Sequence, residues 1–151
     1  MEKSLILVKP DGLQRGLVGE IVSRFERKGL KIIGLKMLSI EDAVLEQHYE
    51  HLADKPFFSD IKEFMKSSPI VAIALEGGKG AVSAIRTLVG PTKGQEAPGG
   101  TIRGDFGLSG SNNIVHASDS VENGKTEVDR FFGSEELFEY TKTDFGHIYG
   151  H

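Results

Sequence analysis

Cysteine is absent from the 151 residues. That excludes disulfides, thiolate catalysis and cysteine-held metals. No apolar run approaches the roughly 18 residues of a membrane helix. The opening stretch MEKSLILVKPDG has an apolar run too short for a secretory signal, and no small-residue cleavage site follows. A cytoplasmic protein without a membrane partner is therefore expected. Basic excess is missing as well. A net charge of −4 argues against nucleic acid as a main partner, yet it leaves room for a local basic pocket. Familiar phosphate and metal signatures are lacking too: neither G-x-x-x-x-G-K-[ST], nor G-x-G-x-x-G, nor H-E-x-x-H occurs. The tripeptide Arg103-Gly104-Asp105 spells an adhesion motif, but without a secretion signal it reads as chance.

What is present describes one domain over residues 1–151, long enough to bury a substantial core. Ser4–Lys9 is a short apolar run ended by Pro10-Asp11-Gly12, so a buried strand enters a turn there. Leu17, Val18, Ile21, Val22 and Phe25 recur at helical spacing, and Gly29 closes that helix. Leu30–Leu38 reads as a second strand. Ser39 is the expected cap of a helix on which Val44, Leu45, His48 and Leu52 share one face. Ser59–Lys66 reads as a short helix capped by Ser59. Pro69–Gly77 is a third strand, and Ala81–Gly90 a helix ending in glycine. Residues 91–111 form a long glycine-rich segment, which inside a compact domain is usually functional. NIVHAS, from Asn113, is the fourth strand. A final amphipathic helix is expected around SEELFEY, followed by an irregular tail. The order is βαββαβ. It predicts an α+β, ferredoxin-like sandwich: a four-stranded antiparallel sheet with helices on one face.

Chemistry is carried first by the histidines. His48 and His51 have i, i+3 spacing with no obvious third metal ligand, and read as surface or partly buried. His147 and His151 fall in the tail and read as solvated. His116 is different. It stands where an apolar strand gives way to Ala-Ser-Asp-Ser, and Ser118 or Asp119 could orient its ring. On the residues alone it reads as either structural or catalytic. Lys9, Arg86 and Arg103 are each ordinary surface charges alone. Converging on one cleft, they would suit a polyphosphate. Tyr49, Phe57 and Phe58 read as core or as a stacking platform.

The segments VKPDG, RGLVGEI, FERKG, HYEHLADKPFF, GTIRGDF and NIVHASDSVE together resemble the nucleoside diphosphate kinase family, over nearly the whole chain. The resemblance implies a βαββαβ sandwich. It also implies transfer of a γ-phosphoryl group from a nucleoside triphosphate to a nucleoside diphosphate, in ping-pong fashion. His116 would be the phosphate-accepting nucleophile, with Ser118 and Glu127 orienting it and Tyr49 near the γ-phosphate. Lys9, Arg86, Thr92 and Arg103 would hold phosphates, Phe57 would stack on the base, and Lys9 and Asn113 would reach the sugar. Mg²⁺ would be the cofactor, held mainly by the nucleotide's phosphates. Family members form hexamers and some form tetramers, so a homo-oligomer is implied, with a hexamer favoured. Gly110 replaces the valine common against the base, which opens that wall. The loop TKGQEAPGG and the tail GHIYGH also depart from the usual pattern. Two other readings remain: a silent, scaffold-like member of the family, and a ferredoxin-like RNA-binding sheet. The latter lacks the aromatic signature of its class.

Overall fold

The computed structural model describes residues 1–150; His151 lies outside them. Four strands and eight helices follow one another: β1 (Glu2–Val8), α1 (Pro10–Gln14), α2 (Val18–Lys28), β2 (Lys31–Leu38), α3 (Asp42–His48), α4 (Phe58–Met65), β3 (Ile70–Gly77), α5 (Ala81–Val89), α6 (Ile102–Phe106), β4 (Val115–Ala117), α7 (Val121–Phe131) and α8 (Phe145–Tyr149). The strands form one antiparallel sheet in the order β2-β3-β1-β4. The fold is α+β and ferredoxin-like, as the pattern predicts.

Helices cover both faces of the sheet rather than one. Ile6 and Val8 of β1 join α2 and α5 residues such as Ile21, Phe25, Ile85 and Val89 in one core. Leu5 and Leu7 join Leu45, Met65, Val128 and Phe131, from α3, α4 and α7, in a second. Alternate strand residues point to opposite faces, so a strand buried on both sides becomes a continuous apolar run. That is why SLILV does not alternate.

Several boundaries differ from expectation, each for a local reason. Pro10-Asp11-Gly12 opens the short helix α1 instead of a turn, with the fixed φ of Pro10 at its first position. Ser39 does not cap α3. Ile40 is drawn into the core, the helix starts later, and Glu41 precedes it. α4 begins at Phe58, so Ser59 lies inside it and is no cap. The last large helix is α7, which the polar stretch VENGKTEVDRF conceals; Gly124, Val128 and Phe131 are its buried stripe. SEELFEY supplies only a 3₁₀ turn, Ser134–Glu136. Past that turn Phe138 donates its N–H to the carbonyl of Ile33, and this bond to β2 replaces a helical one. The tail is not irregular throughout, since it contains α8.

Gly124 sets how closely α7 approaches the sheet. A β-carbon there would lie 1.9 Å from the carbonyl oxygen of Lys3. Only glycine lets α7 lie this near to β1.

Candidate active site

The site begins with strand alternation. Val115 and Ala117 enter the core beneath α2 and α5, so His116 between them faces the α3 and α7 side. It sits opposite Leu7 in the register with β1. The chain then reverses, and the Ser120 hydroxyl caps α7 by accepting the Asn123 N–H at 3.0 Å. α7 runs back along β1 and brings Glu127 over the imidazole. His116 Nε2 lies 2.8 Å from Glu127 Oε1. Ser118 donates its hydroxyl to the same oxygen at 2.6 Å and accepts the Leu5 N–H at 2.9 Å.

These bonds settle the ring's state. Burial alone would raise the Glu127 pKa, but hydrogen bonds from His116 and Ser118 hold it at about 2. An ionised carboxylate only accepts. Nε2 therefore carries the proton, and Nδ1 is left with a lone pair. Burial lowers the His116 pKa, against the pull of Glu127. The imidazole is neutral near pH 7.

His48 reads from the sequence as surface or partly buried. It is instead 5% exposed, with its ring edge-on to His116 at 4.6 Å between centroids. Its Nδ1 accepts from Arg130 Nη1 at 3.0 Å. Burial, then the neighbouring His116, pushes its pKa down to about 3. Its close partners are His116 and Glu127, not His51.

Lys9, Arg103 and Arg86 are anchored around β4 and the residues beside it. Lys9 donates to Asn113 Oδ1 at 2.8 Å. Burial, and after it the charge of Arg103, lowers the Lys9 pKa to about 8. Arg103 is 4% exposed and donates to the carbonyls of Asn113, Gly90 and Val115 at 3.2, 3.1 and 2.6 Å. That uses three of its five N–H groups. Arg86 donates to the Ala117 carbonyl at 3.1 Å. The Arg103-Gly104-Asp105 motif is not presented for adhesion: Arg103 is buried, and Asp105 pairs with Arg24 at 2.7 Å.

Two cavities meet at this cluster. One, of about 640 Å³, lies between Phe57 and Ile61 on one side and Gly110 to Asn113 on the other, with Lys9, Tyr49 and Thr92 along it. Phe57 is 47% exposed into solvent. The other, of about 730 Å³, exposes His116 with His48, Arg86, Glu127 and Arg130. Tyr49 lines both, and burial followed by the Glu127 charge raises its pKa to about 12.

Eight of the ten expected residues line these cavities. Arg103 and Ser118 are buried and line neither. Ser118 reaches the ring only through Glu127, while Asp119 accepts from Asn123 instead of bonding the histidine. The sequence reading missed His48 and Arg130. His48 had a signal, because its position on the apolar stripe of α3 predicts burial. Arg130 had none, since exposed helix arginines look the same.

Comparison with known proteins agrees with this geometry. The nucleoside diphosphate kinase family model matches residues 2–137. A nucleoside diphosphate kinase from Archaeoglobus fulgidus is 50% identical over 149 residues, covering 99% of this chain and 98% of that one. One from Staphylothermus marinus is 52% identical, covering 92% and 98%. Among solved structures, a nucleoside diphosphate kinase family protein from Babesia bovis superposes with a TM-score of 0.94 at 46% identity, over 99% of this chain and 100% of that one. A halophilic nucleoside diphosphate kinase from Halobacterium salinarum, solved in complex with CDP, superposes with a TM-score of 0.93 at 39% identity, over 98% of each chain. Fold and sequence agree: the chain belongs to the nucleoside diphosphate kinase family and is a nucleotide phosphotransferase.

Proposed function

We propose that His116 carries the phosphoryl group between two nucleotides, through its Nδ1. The observation that supports this is the bond of Nε2 to Glu127, which leaves one free nitrogen on a neutral ring. In the first half-reaction the Nδ1 lone pair attacks the γ-phosphorus in line. The bond from that phosphorus to the β–γ bridging oxygen breaks, and the diphosphate leaves with the electron pair. In the second, a terminal oxygen of the acceptor diphosphate attacks the same phosphorus, and the N–P bond breaks. This is covalent, ping-pong catalysis. Positive charge develops on the ring during attack, and the Glu127 carboxylate stabilises it. Ser118 fixes Glu127, so it is a positioning residue.

Lys9, Arg86 and Arg103 offset charge on the transferred oxygens, the largest contribution in phosphoryl transfer. Thr92 and Tyr49 complete the phosphate end, and Lys9 and Asn113 contact the sugar. Phe57 holds the base by stacking, which any base accepts. Purine and pyrimidine, ribo and deoxy substrates all fit this scheme. The fit of Mg²⁺ can be judged from the donors. A hard cation takes oxygen ligands, whereas the close metal-capable trio among the described residues, His48, His116 and Glu127, is nitrogen-rich and already engaged. The site therefore suits Mg²⁺ held by the nucleotide's own phosphate oxygens. When bound there, it neutralises charge on the β- and γ-oxygens.

We also expect a cytoplasmic homo-oligomer, with a hexamer favoured. No helix of the described residues is long and apolar enough to cross a membrane. The edge strand β2 exposes Leu35 and Met37 at 53% and 62%, surface a second copy can cover. Light scattering reads the assembly.

The central test uses γ-labelled ATP without acceptor. Wild type should take up acid-labile, base-stable label at His116. No label on wild type would sink the enzyme reading, and label persisting in His116→Gln would sink the residue assignment.

A further inference from the structure

One residue stands out in the backbone. Ile114 has φ of 77°, the lone non-glycine residue with positive φ among the described residues. A β-branched side chain in that region is an outlier, and it persists only when its surroundings hold it there. Ile114 is fully buried and lies between Asn113 and β4.

The Val115 N–H closes a tight turn across it by donating to the Asn113 carbonyl at 2.8 Å, and what grips it from outside comes from one four-residue segment, Lys9 to Gly12. The Lys9 N–H donates to the Ile114 carbonyl at 2.8 Å. The Ile114 N–H donates to Asp11 Oδ2 at 3.0 Å. A β-carbon on Gly12 would lie 3.0 Å from the Ile114 carbonyl oxygen and 3.1 Å from its Cγ2. Both polar backbone groups of Ile114 are thus gripped, and Gly12 supplies the space. Pro10 starts α1, which delivers Asp11 to this point.

The consequence lies on either side of Ile114. Asn113 sends its side chain to Lys9 and its carbonyl to Arg103, and Val115 turns its carbonyl to Arg103 as well. An unstrained Ile114 would rotate one peptide relative to the other and separate these contacts. We propose that Asp11 is a positioning residue: by holding Ile114 in its positive-φ turn, it sets Asn113, Lys9 and Arg103 in the arrangement that receives the nucleotide. This rests on the reading of the site as a nucleotide phosphotransfer centre. It gives the KPDG stretch a role beyond Lys9, and ties it physically to NIVH across more than a hundred residues of chain.

A competing role for Asp11 is its negative charge beside Lys9. Two variants separate the roles. Asp11→Ala removes the acceptor and the charge. Asp11→Asn removes the charge and places an amide donor where Oδ1 has no partner, while its amide oxygen still accepts the Ile114 N–H. On the full chain, calorimetry with a nucleoside diphosphate measures affinity, and hydrogen exchange measures protection of the Ile114 amide. Asp11→Ala should weaken diphosphate affinity at least tenfold and speed exchange at Ile114. Asp11→Asn should stay within threefold of wild type, with the amide still protected.

Equal loss in the two variants would overturn the proposal in favour of charge. Unchanged affinity in Asp11→Ala would overturn it outright. Should Asp11→Ala not fold, Asp11→Asn decides: a protected Ile114 amide with near-normal affinity upholds the strap, and free exchange with normal affinity overturns it. Neither readout needs turnover, so failure of wild type to label His116 would refute the phosphotransfer assignment without deciding this one.

Discussion

The two faces of the sheet use the same strands for different ends. Beneath α2 and α5 the face is closed and apolar, with Phe25, Ile85, Val89 and Ile102 packed on Ile6, Val8 and Val115. Beneath α3 and α7 it is equally apolar near Leu5 and Leu7, but at β4 it ends in His48, His116, Ser118 and Glu127. That corner tolerates charge because its groups are paired. Glu127 receives two donors, Ser118 both donates and accepts, and His48 takes Arg130. Burying such groups without partners would be strongly unfavourable. β4 is also only three residues long, so the polar corner sits at the sheet's edge and opens to solvent. One face supplies stability, and the corner of the other supplies chemistry.

That division can be broken from either side. The largest effect should come from Phe25→Ala on the closed face. Deleting a fully buried phenyl ring should destabilise the fold by about 3–5 kcal/mol, read by urea unfolding, with turnover per folded molecule unchanged. A fall in turnover of the folded fraction would show that the faces are not independent. Next comes Glu127→Gln in the polar corner. It removes the charge that stabilises the ring during attack, and kcat of the folded fraction should fall about 10²-fold or more. The smallest effect sharpens the contrast through pH. The folded His48 binds its proton only near pH 3, whereas the unfolded imidazole does so near 6.5. Between those values the unfolded state binds the extra proton, so stability falls as pH falls, by up to about 1.4 kcal/mol per unit. His48→Gln should flatten this slope by about one proton between pH 6 and 4. No change in slope would place the titration elsewhere.

Much of the fold was legible because it depends on local pattern. SLILV and IVAIAL read as strands, and the 3.6-residue recurrence from Leu17 to Phe25 reads as a helix. Gly29 ends that helix with φ of 104°. The failures come where tertiary contacts override local pattern. α7 hides its three buried positions among charges, and SEELFEY has helical spacing but finds a better bond at Ile33. Of the site, motif resemblance pointed to His116 and its companions. The one-sided sheet fails, and the full burial of His48 goes beyond the surface or partly buried reading, because both turn on which element packs where.

The residues read along the chain specify the four strands, half of the eight helices, the absence of thiol chemistry, and the family. Those follow from side-chain periodicity, composition and motif, all written along the chain. Tertiary structure alone sets that Lys9 and Arg103 both bond Asn113, that Ser118 acts through Glu127 instead of on the ring, that His48 is buried against His116, and that the Ile114 N–H, in its positive-φ turn, is bound by Asp11. Each is a contact between distant residues, formed because the order β3-β1-β4 brings the end of the first strand beside the last. No local periodicity encodes that meeting, since it exists only once the sheet has closed on both of its cores.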